Sequence, residues 1–138
     1  MAYVPKNPEW FLANLVREIR VVGSRRNIVH IDYVLIRATS PQLAFKRART
    51  LGKRGNISYK NEKGKEVTIR FRGLRNLDVI HDPLEDGCEI MFVEKLGVSE
   101  QGIRRLVRPK QQLEVFMPIR KRRGRPNYSS KAIMDEVK

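Results

Sequence analysis

NPEWFLANLVREIRVVG, residues 7–23, decides the fold, because two periods run through it at once. Leu12, Leu15, Val16 and Ile19 recur at the spacing of one helix face, with Asn7 and Pro8 suited to a helix start. Phe11, Ala13, Leu15, Ile19 and Val21 equally fit the alternation of a strand interrupted at Arg17. Periodicity alone leaves both readings open, so the segments downstream must supply the context.

Those segments are clearer. In NIVHIDYVLIRA, residues 27–38, Val29, Ile31, Tyr33 and Leu35 alternate on one face, and the β-branched and aromatic content predicts a partly buried strand over 28–38. SPQLAFKRARTLGKRG follows as a helix, with Ser40 as cap, Pro41 in the first turn and Gly52 or Gly55 at the end. Ala44, Ala48 and Leu51 fall on one side of it with Phe45 at the margin, and Lys46, Arg49, Lys53 and Arg54 fall on the other. NISYKNEKGKEVTIRFRGL predicts a hairpin turning around Gly64, with Val67, Ile69 and Phe71 on one face and Thr68, Arg70 and Arg72 on the other. NLDVIHD continues past a bend at Gly73, DPLEDG is a turn, and CEIMFVEKL has the pattern of another strand. SEQGIRRLVR predicts a short helix capped by Ser99, weakened by Gly102.

EWFLANLV, YVLIRATSPQLAFKRARTLGK, ISYKNEKGKEVTIRFRGLRNLDVI and LEDGCEIM together resemble a small bacterial family with a domain of unknown function, numbered four-two-eight-eight, over about residues 9–95. Its members are similar in running from an aromatic Trp-Phe/Tyr strand, through an Ala-x-Ser-x-x-x-Ala-x-x-x-Ala passage, to a Tyr-x-Asn-x-x-Gly hairpin. The resemblance implies a strand for residues 10–22. It implies an α+β domain with a mainly antiparallel sheet of about five strands, a meander with one main helix packed across it. It implies no activity, and a fold alone licenses none. The family pattern carries no basic tail, so residues 104–138 read as an addition to a domain spanning 1–103.

With 29 Lys and Arg against 15 Asp and Glu, the chain carries a net charge of +14, which self-repels unless a polyanion screens it. Residues 104–138 hold 11 basic and 3 acidic residues, over half of that excess. Nucleic acid is the partner such a balance implies. No segment approaches the roughly 18 uninterrupted apolar residues of a spanning helix, and MAYVPKNPEW lacks the apolar stretch of a signal peptide. The expectation is therefore a cytoplasmic protein, nucleoid-associated if bacterial.

No catalytic or metal constellation stands out. Cys88, His30 and His81 have no zinc spacing, and Cys88 reads as a small strand residue. Asp78, Asp82, Glu85 and Asp86 near His81 read as a solvated turn, where Asp bonds the local backbone. His30 alternates with Asp32 on the less apolar face of its strand and reads as structural. An Mg²⁺-dependent nuclease would need paired carboxylates beside a Lys, and Glu62-Lys63 and Glu94-Lys95 lack the carboxylate-x-Lys spacing. The expectation is no enzyme, no cofactor and no metal; activity lost on changing Asp82 or Glu94 would reverse it.

Three basic features remain. The stretch from Tyr33 to Asn61 contains no acid and holds Arg37, Lys46, Arg47, Arg49, Lys53, Arg54 and Lys60. A strand face presents Arg70 and Arg72, with Arg75 adjoining. Such faces neutralise phosphates without reading bases. The third feature is KRRGRP, residues 121–126, which has the order of an AT-hook. Arg123 and Arg125 would lie along the narrow minor groove of A·T-rich DNA, Gly124 would let the backbone reach its floor, and Pro126 would direct the chain away. Lys121 and Arg122 would meet flanking phosphates. A less specific phosphate or RNA contact and a plain solubility tail are the competing readings, and NYSSKAIMDEVK, capped by Ser129 or Ser130, would add a terminal helix.

The sequence therefore supports a non-enzymatic nucleic-acid-binding protein, DNA favoured over RNA, with Lys46, Arg49, Lys53, Arg54, Arg70, Arg72, Lys121 and Arg122 on phosphates. The alternative is a protein-interaction module for an acidic or ribonucleoprotein partner, its tail giving only general attraction.

Overall fold

In the computed structural model, which describes residues 8–118 and 126–129, the ambiguous opening segment is a strand, β1 (Trp10–Val21). Phe11 through Leu15 are all buried. A strand flanked on both sides and largely covered on both faces loses its alternation, which is why a helical period could be read into it. β1 pairs antiparallel with β2 (Ile28–Arg37), in register from Trp10 opposite Arg37 to Ile19 opposite Ile28. Its other edge pairs antiparallel with β4 (Glu66–Val79), and β3 (Ile57–Lys60) completes the order β2-β1-β4-β3.

β4 does continue past Gly73. The ladder with β1 shifts register at Asn14/Leu15 and at Val16/Arg17, and Gly73 there has φ of 141°, a value L side chains rarely adopt. The β3–β4 turn has its own device. The Asn61 side-chain oxygen accepts from the backbone N–H of Lys63 (3.0 Å) and Lys65 (2.9 Å), and Gly64 takes φ of 77°. The Tyr-x-Asn-x-x-Gly pattern is thus an Asn that ties the turn and a Gly that makes it.

The helix α1 (Pro41–Arg54) crosses one face of the sheet. Ser40 caps it by accepting from Leu43 N–H at 3.2 Å. Its buried residues are Ala44, Ala48 and Gly52, so Gly52 takes the place expected of Leu51, which is exposed. The cause is distance: a Cβ on Gly52 would lie 2.5 Å from the Phe71 ring, and only a stripe without bulk lets the helix come so close. Phe11, Ala13, Leu15, Ile36 and Val79 form the core beneath it, with Phe71, Leu74 and Leu77 packed against it.

Two expectations need correction. Among the described residues the sheet has four strands, because CEIMFVE is not a strand: it follows a Glu85–Cys88 turn with Gly87 at φ of 82°, and no described strand supplies a ladder. Apolar alternation without a partner leaves backbone N–H and C=O groups to water. The faces of β2 are also reversed. Ile28, His30, Asp32, Val34 and Ile36 point to the helix-bearing side, while Val29, Ile31, Tyr33 and Leu35 are exposed on the other. Arg17 is the reason His30 and Asp32 can face inward: its Nε donates to Asp32 Oδ2 at 2.7 Å, opposite the pair's own register neighbours.

The described residues form two compact units, 8–91 with 126–129, and 92–118. The second contains α2 (Glu100–Leu106), where Ser99 accepts from Gly102 N–H at 3.0 Å as expected, and two short 3-10 turns, Lys110–Gln112 and Glu114–Phe116. Among the described residues no helix is long and apolar enough to cross a membrane.

Candidate nucleic-acid interface

Because Ala44, Ala48 and Gly52 hold α1 down, its cations divide between two outward ridges. Lys46, Arg47, Thr50 and Arg54 lie toward β2 and, with Leu35, Ile36 and Leu51, line a cleft of about 430 Å³. Phe45, Arg49 and Lys53 follow the other ridge at four-residue spacing, the Arg49 guanidinium 5.7 Å from the Phe45 ring. Lys46, Lys53 and Arg54, three of the four α1 residues expected on phosphate, share the helix with Arg49, and Arg47 joins two of them in the cleft.

Arg17 has another task. Besides holding Asp32 it donates from Nη1 at 3.2 Å to the Gly52 carbonyl, which also accepts the Gly55 N–H, in the last turn of α1, where a cation suits the helix dipole. It is a structural cation.

Arg70 and Arg72 lie on the opposite face of the sheet. Phe71 packs under α1 and Ile69, two residues earlier, shares its face beside Ile19, Val21 and Val67, so their neighbours turn away. There Glu18 collects the charge: it accepts from Asn27 Nδ2 (2.6 Å), Arg20 (3.0 Å) and Arg72 (3.3 Å). The Asn27 amide, with Arg20 and Arg72 beside it, holds the Glu18 carboxyl below its ordinary value against the opposing effect of partial burial. Arg72 is therefore partly neutralised. The same face carries Trp10, 5.7 Å from the Arg37 guanidinium. Among the described residues the two basic surfaces lie on opposite faces of the sheet.

Of the hook-like hexapeptide, Lys121, Arg122, Arg123, Gly124 and Arg125 lie outside the described residues, as does the expected helix beyond Ser129. Pro126 is described, and it begins a segment that returns to the domain. Asn61 Nδ2 donates to the Asn127 carbonyl at 2.8 Å, Asn127 Nδ2 donates to Glu62 Oε1 at 2.5 Å, and the Tyr59 hydroxyl donates to the Tyr128 carbonyl. The Tyr128 ring rests on the cluster of Ile19, Val21 and Val67 and meets the His30 ring edge-on at 5.4 Å. Burial raises the Tyr59 hydroxyl pKa above its ordinary value, with Tyr128 adding to the effect.

This contact places Asn127 and Tyr128 on the helix-bearing face. His30, under Tyr128, is the register neighbour of Arg17, which reaches the last turn of α1. Sequence reading missed this anchor; its signal was an Asn-Tyr pair closing an otherwise basic tail.

Among the described residues no three His, Cys, Asp or Glu side chains come together to hold a metal. Compared with known proteins, residues 10–92 match a family described as Domain of unknown function (DUF4288). Neither a curated protein nor a solved structure matches the chain.

Proposed function

The chain belongs to the DUF4288 family, whose description assigns no task, and from its surfaces we propose that it is a non-enzymatic protein that binds duplex DNA, acting in the cytoplasm or on a nucleoid. The observation that carries the reading is the Asn127–Tyr128 anchor. It ties the residues that follow KRRGRP to the face where α1 presents Lys46, Arg49, Lys53 and Arg54. The α1 cations would neutralise backbone phosphates, giving affinity without base reading. Arg123 and Arg125, on either side of Gly124, would enter an A·T-rich minor groove, with Lys121 and Arg122 on the flanking phosphates and Pro126 turning the chain back to its anchor. Arg70 and Arg72, on the other face, would meet only a second segment of nucleic acid.

The test is a fluorescence-anisotropy titration of A·T-rich and G·C-rich duplexes at several salt concentrations. The expected result is steep salt dependence and an A·T preference that Arg123→Ala/Arg125→Ala removes. Lys46→Ala/Arg54→Ala should lower the salt slope by roughly two while leaving the A·T preference, since each phosphate contact contributes about 0.9 to that slope. Equal affinities with no effect of the double Arg variant remove the hook, and absence of salt-dependent binding removes the whole reading. The exposed row Val29, Ile31, Tyr33 and Leu35 favours a second reading, a protein-interaction module. A partner that survives nuclease treatment in a pull-down would support it.

A further inference from the structure

Among the described residues β2 ends the sheet, so one side of it offers N–H and C=O groups that no described strand pairs. Proteins usually blunt such an edge. Here the one guard among the described contacts is Arg47, whose Nη1 donates to the Arg37 carbonyl at 2.5 Å, at one end of the strand. Beside the edge runs the cleft under α1, in which Ile36 and Leu51 are apolar, Lys46, Arg47 and Arg54 are cationic, and no lining residue is acidic. Beyond the edge on the far face lie the exposed Ile31, Tyr33 and Leu35. An occupant that satisfies all three has to be extended, apolar in alternation on both faces, and acidic.

This chain contains such a segment. CEIMFVE, residues 88–94, has strand patterning but no ladder, and Phe92 and Val93 are 72% and 75% exposed. Residues 82–94 hold five carboxylates, Asp82, Glu85, Asp86, Glu89 and Glu94, and no Lys or Arg. In a chain of net charge +14 this is an isolated acidic run.

We propose that the free edge of β2 binds a second copy of this chain, which adds residues 88–94 as a fifth strand while receiving the same segment in return. Strand alternation sets Ile90, Phe92 and Glu94 on one side and Glu89, Met91 and Val93 on the other. The first set faces Ile36, Leu51 and the cleft cations; the second extends the row of Ile31, Tyr33 and Leu35. The exchange is reciprocal, so it closes as a two-fold dimer with no edge left to propagate. Overall repulsion between two basic chains opposes it, but charges separated by more than about 8 Å are largely screened at physiological salt, while the contacting pairs are closer.

The inference does not depend on nucleic-acid binding and is tested on the full chain freed of nucleic acid, with reductant present to exclude a Cys88 disulfide. Sedimentation velocity at physiological salt should show a dimer in the micromolar range. Phe92→Ser should make it monomeric, with thermal unfolding unchanged at dilutions where the wild type is also a monomer, because that side chain lies outside the folded core. Lys46→Glu/Arg54→Glu and Glu94→Lys should each be monomeric alone and should dimerise when mixed, since each then offers the charge the other needs. A monomer at every concentration up to about 200 µM, well above a micromolar Kd, overturns the proposal. So does a dimer indifferent to Phe92→Ser, or charge variants that stay monomeric on mixing.

Discussion

Replacing Tyr128 with Ala removes the ring that seats the tail on Ile19, Val21 and Val67 and meets His30. Truncating a fully buried aromatic costs about 3–5 kcal/mol, and Tyr128 is half-buried, so the cost should be about half, roughly 2 kcal/mol. For a domain of this size each kcal/mol moves Tm by about 4–8 °C, so a fall of roughly 8–16 °C in a thermal unfolding scan is expected. Two companions isolate the cause. Tyr128→Phe keeps both described contacts, the ring and the backbone carbonyl, and should change stability by less than about 0.5 kcal/mol. Tyr59→Phe removes the hydroxyl that donates to the Tyr128 carbonyl and should cost about 0.5–1.5 kcal/mol. The double variant Tyr59→Phe/Tyr128→Ala should lose less than the sum, because the Tyr59 bond has little left to hold once the ring has gone. Wild-type stability in Tyr128→Ala, or strict additivity in the double variant, would refute the anchored tail.

The same Tyr59 gives a pH signature. Its pKa is raised above the ordinary 10.0 in the folded state, so its contribution is complete below that value and is lost as pH rises through the folded pKa. Stability followed from pH 8 upward should fall on the alkaline side in the wild type and less steeply in Tyr59→Phe. Asn61→Asp keeps an oxygen for Lys63 and Lys65 N–H but loses the donor to the Asn127 carbonyl, so amide exchange at the β3–β4 turn should stay protected while proteolysis at residues 126–129 accelerates. Gly52→Val sets carbon atoms into the Phe71 ring and should cost about 1–3 kcal/mol in chemical denaturation, partly recovered when Phe71→Val opens the space.

The elements of the domain were legible because each carries a local cause. Ser40 and Pro41 start α1, Asn61 and Gly64 make the β3–β4 turn, and Ser99 caps α2, all within a few residues of the sequence that specifies them. What failed depended on partners far along the chain. Val29, Ile31, Tyr33 and Leu35 are the more apolar row of β2, yet they lie outward, because the inward row gains Arg17 for Asp32 and the Tyr128 ring for His30. Hydrophobicity counts the side chain but not the partner. The helical pattern groups Leu51 with Ala44 and Ala48 and leaves Gly52 out, although absence of a side chain is what qualifies Gly52 for its close approach to Phe71. CEIMFVE had the pattern of a strand and lacked the neighbour that makes one.

The relation between the tail and the family pattern follows from Asn61. Its side-chain oxygen holds the hairpin, which local sequence explains, but its amide nitrogen has no work within the hairpin and is 94% withdrawn from solvent with the rest of the residue, which is 6% exposed. A buried N–H₂ without an acceptor is costly, and the acceptor here is the carbonyl of Asn127. Tyr59, two residues earlier in the same Tyr-x-Asn-x-x-Gly pattern, donates to the next carbonyl, that of Tyr128. The family match stops at residue 92, yet two side chains of its hairpin are completed only by residues 127 and 128. The folded unit therefore extends beyond the matched domain, and the basic residues just before Pro126 belong to a chain tied to the domain at its hairpin. Minor-groove recognition by Arg123 and Arg125 would accordingly be coupled to this anchor: a variant that frees Tyr128 should weaken A·T-rich binding without touching a single cation.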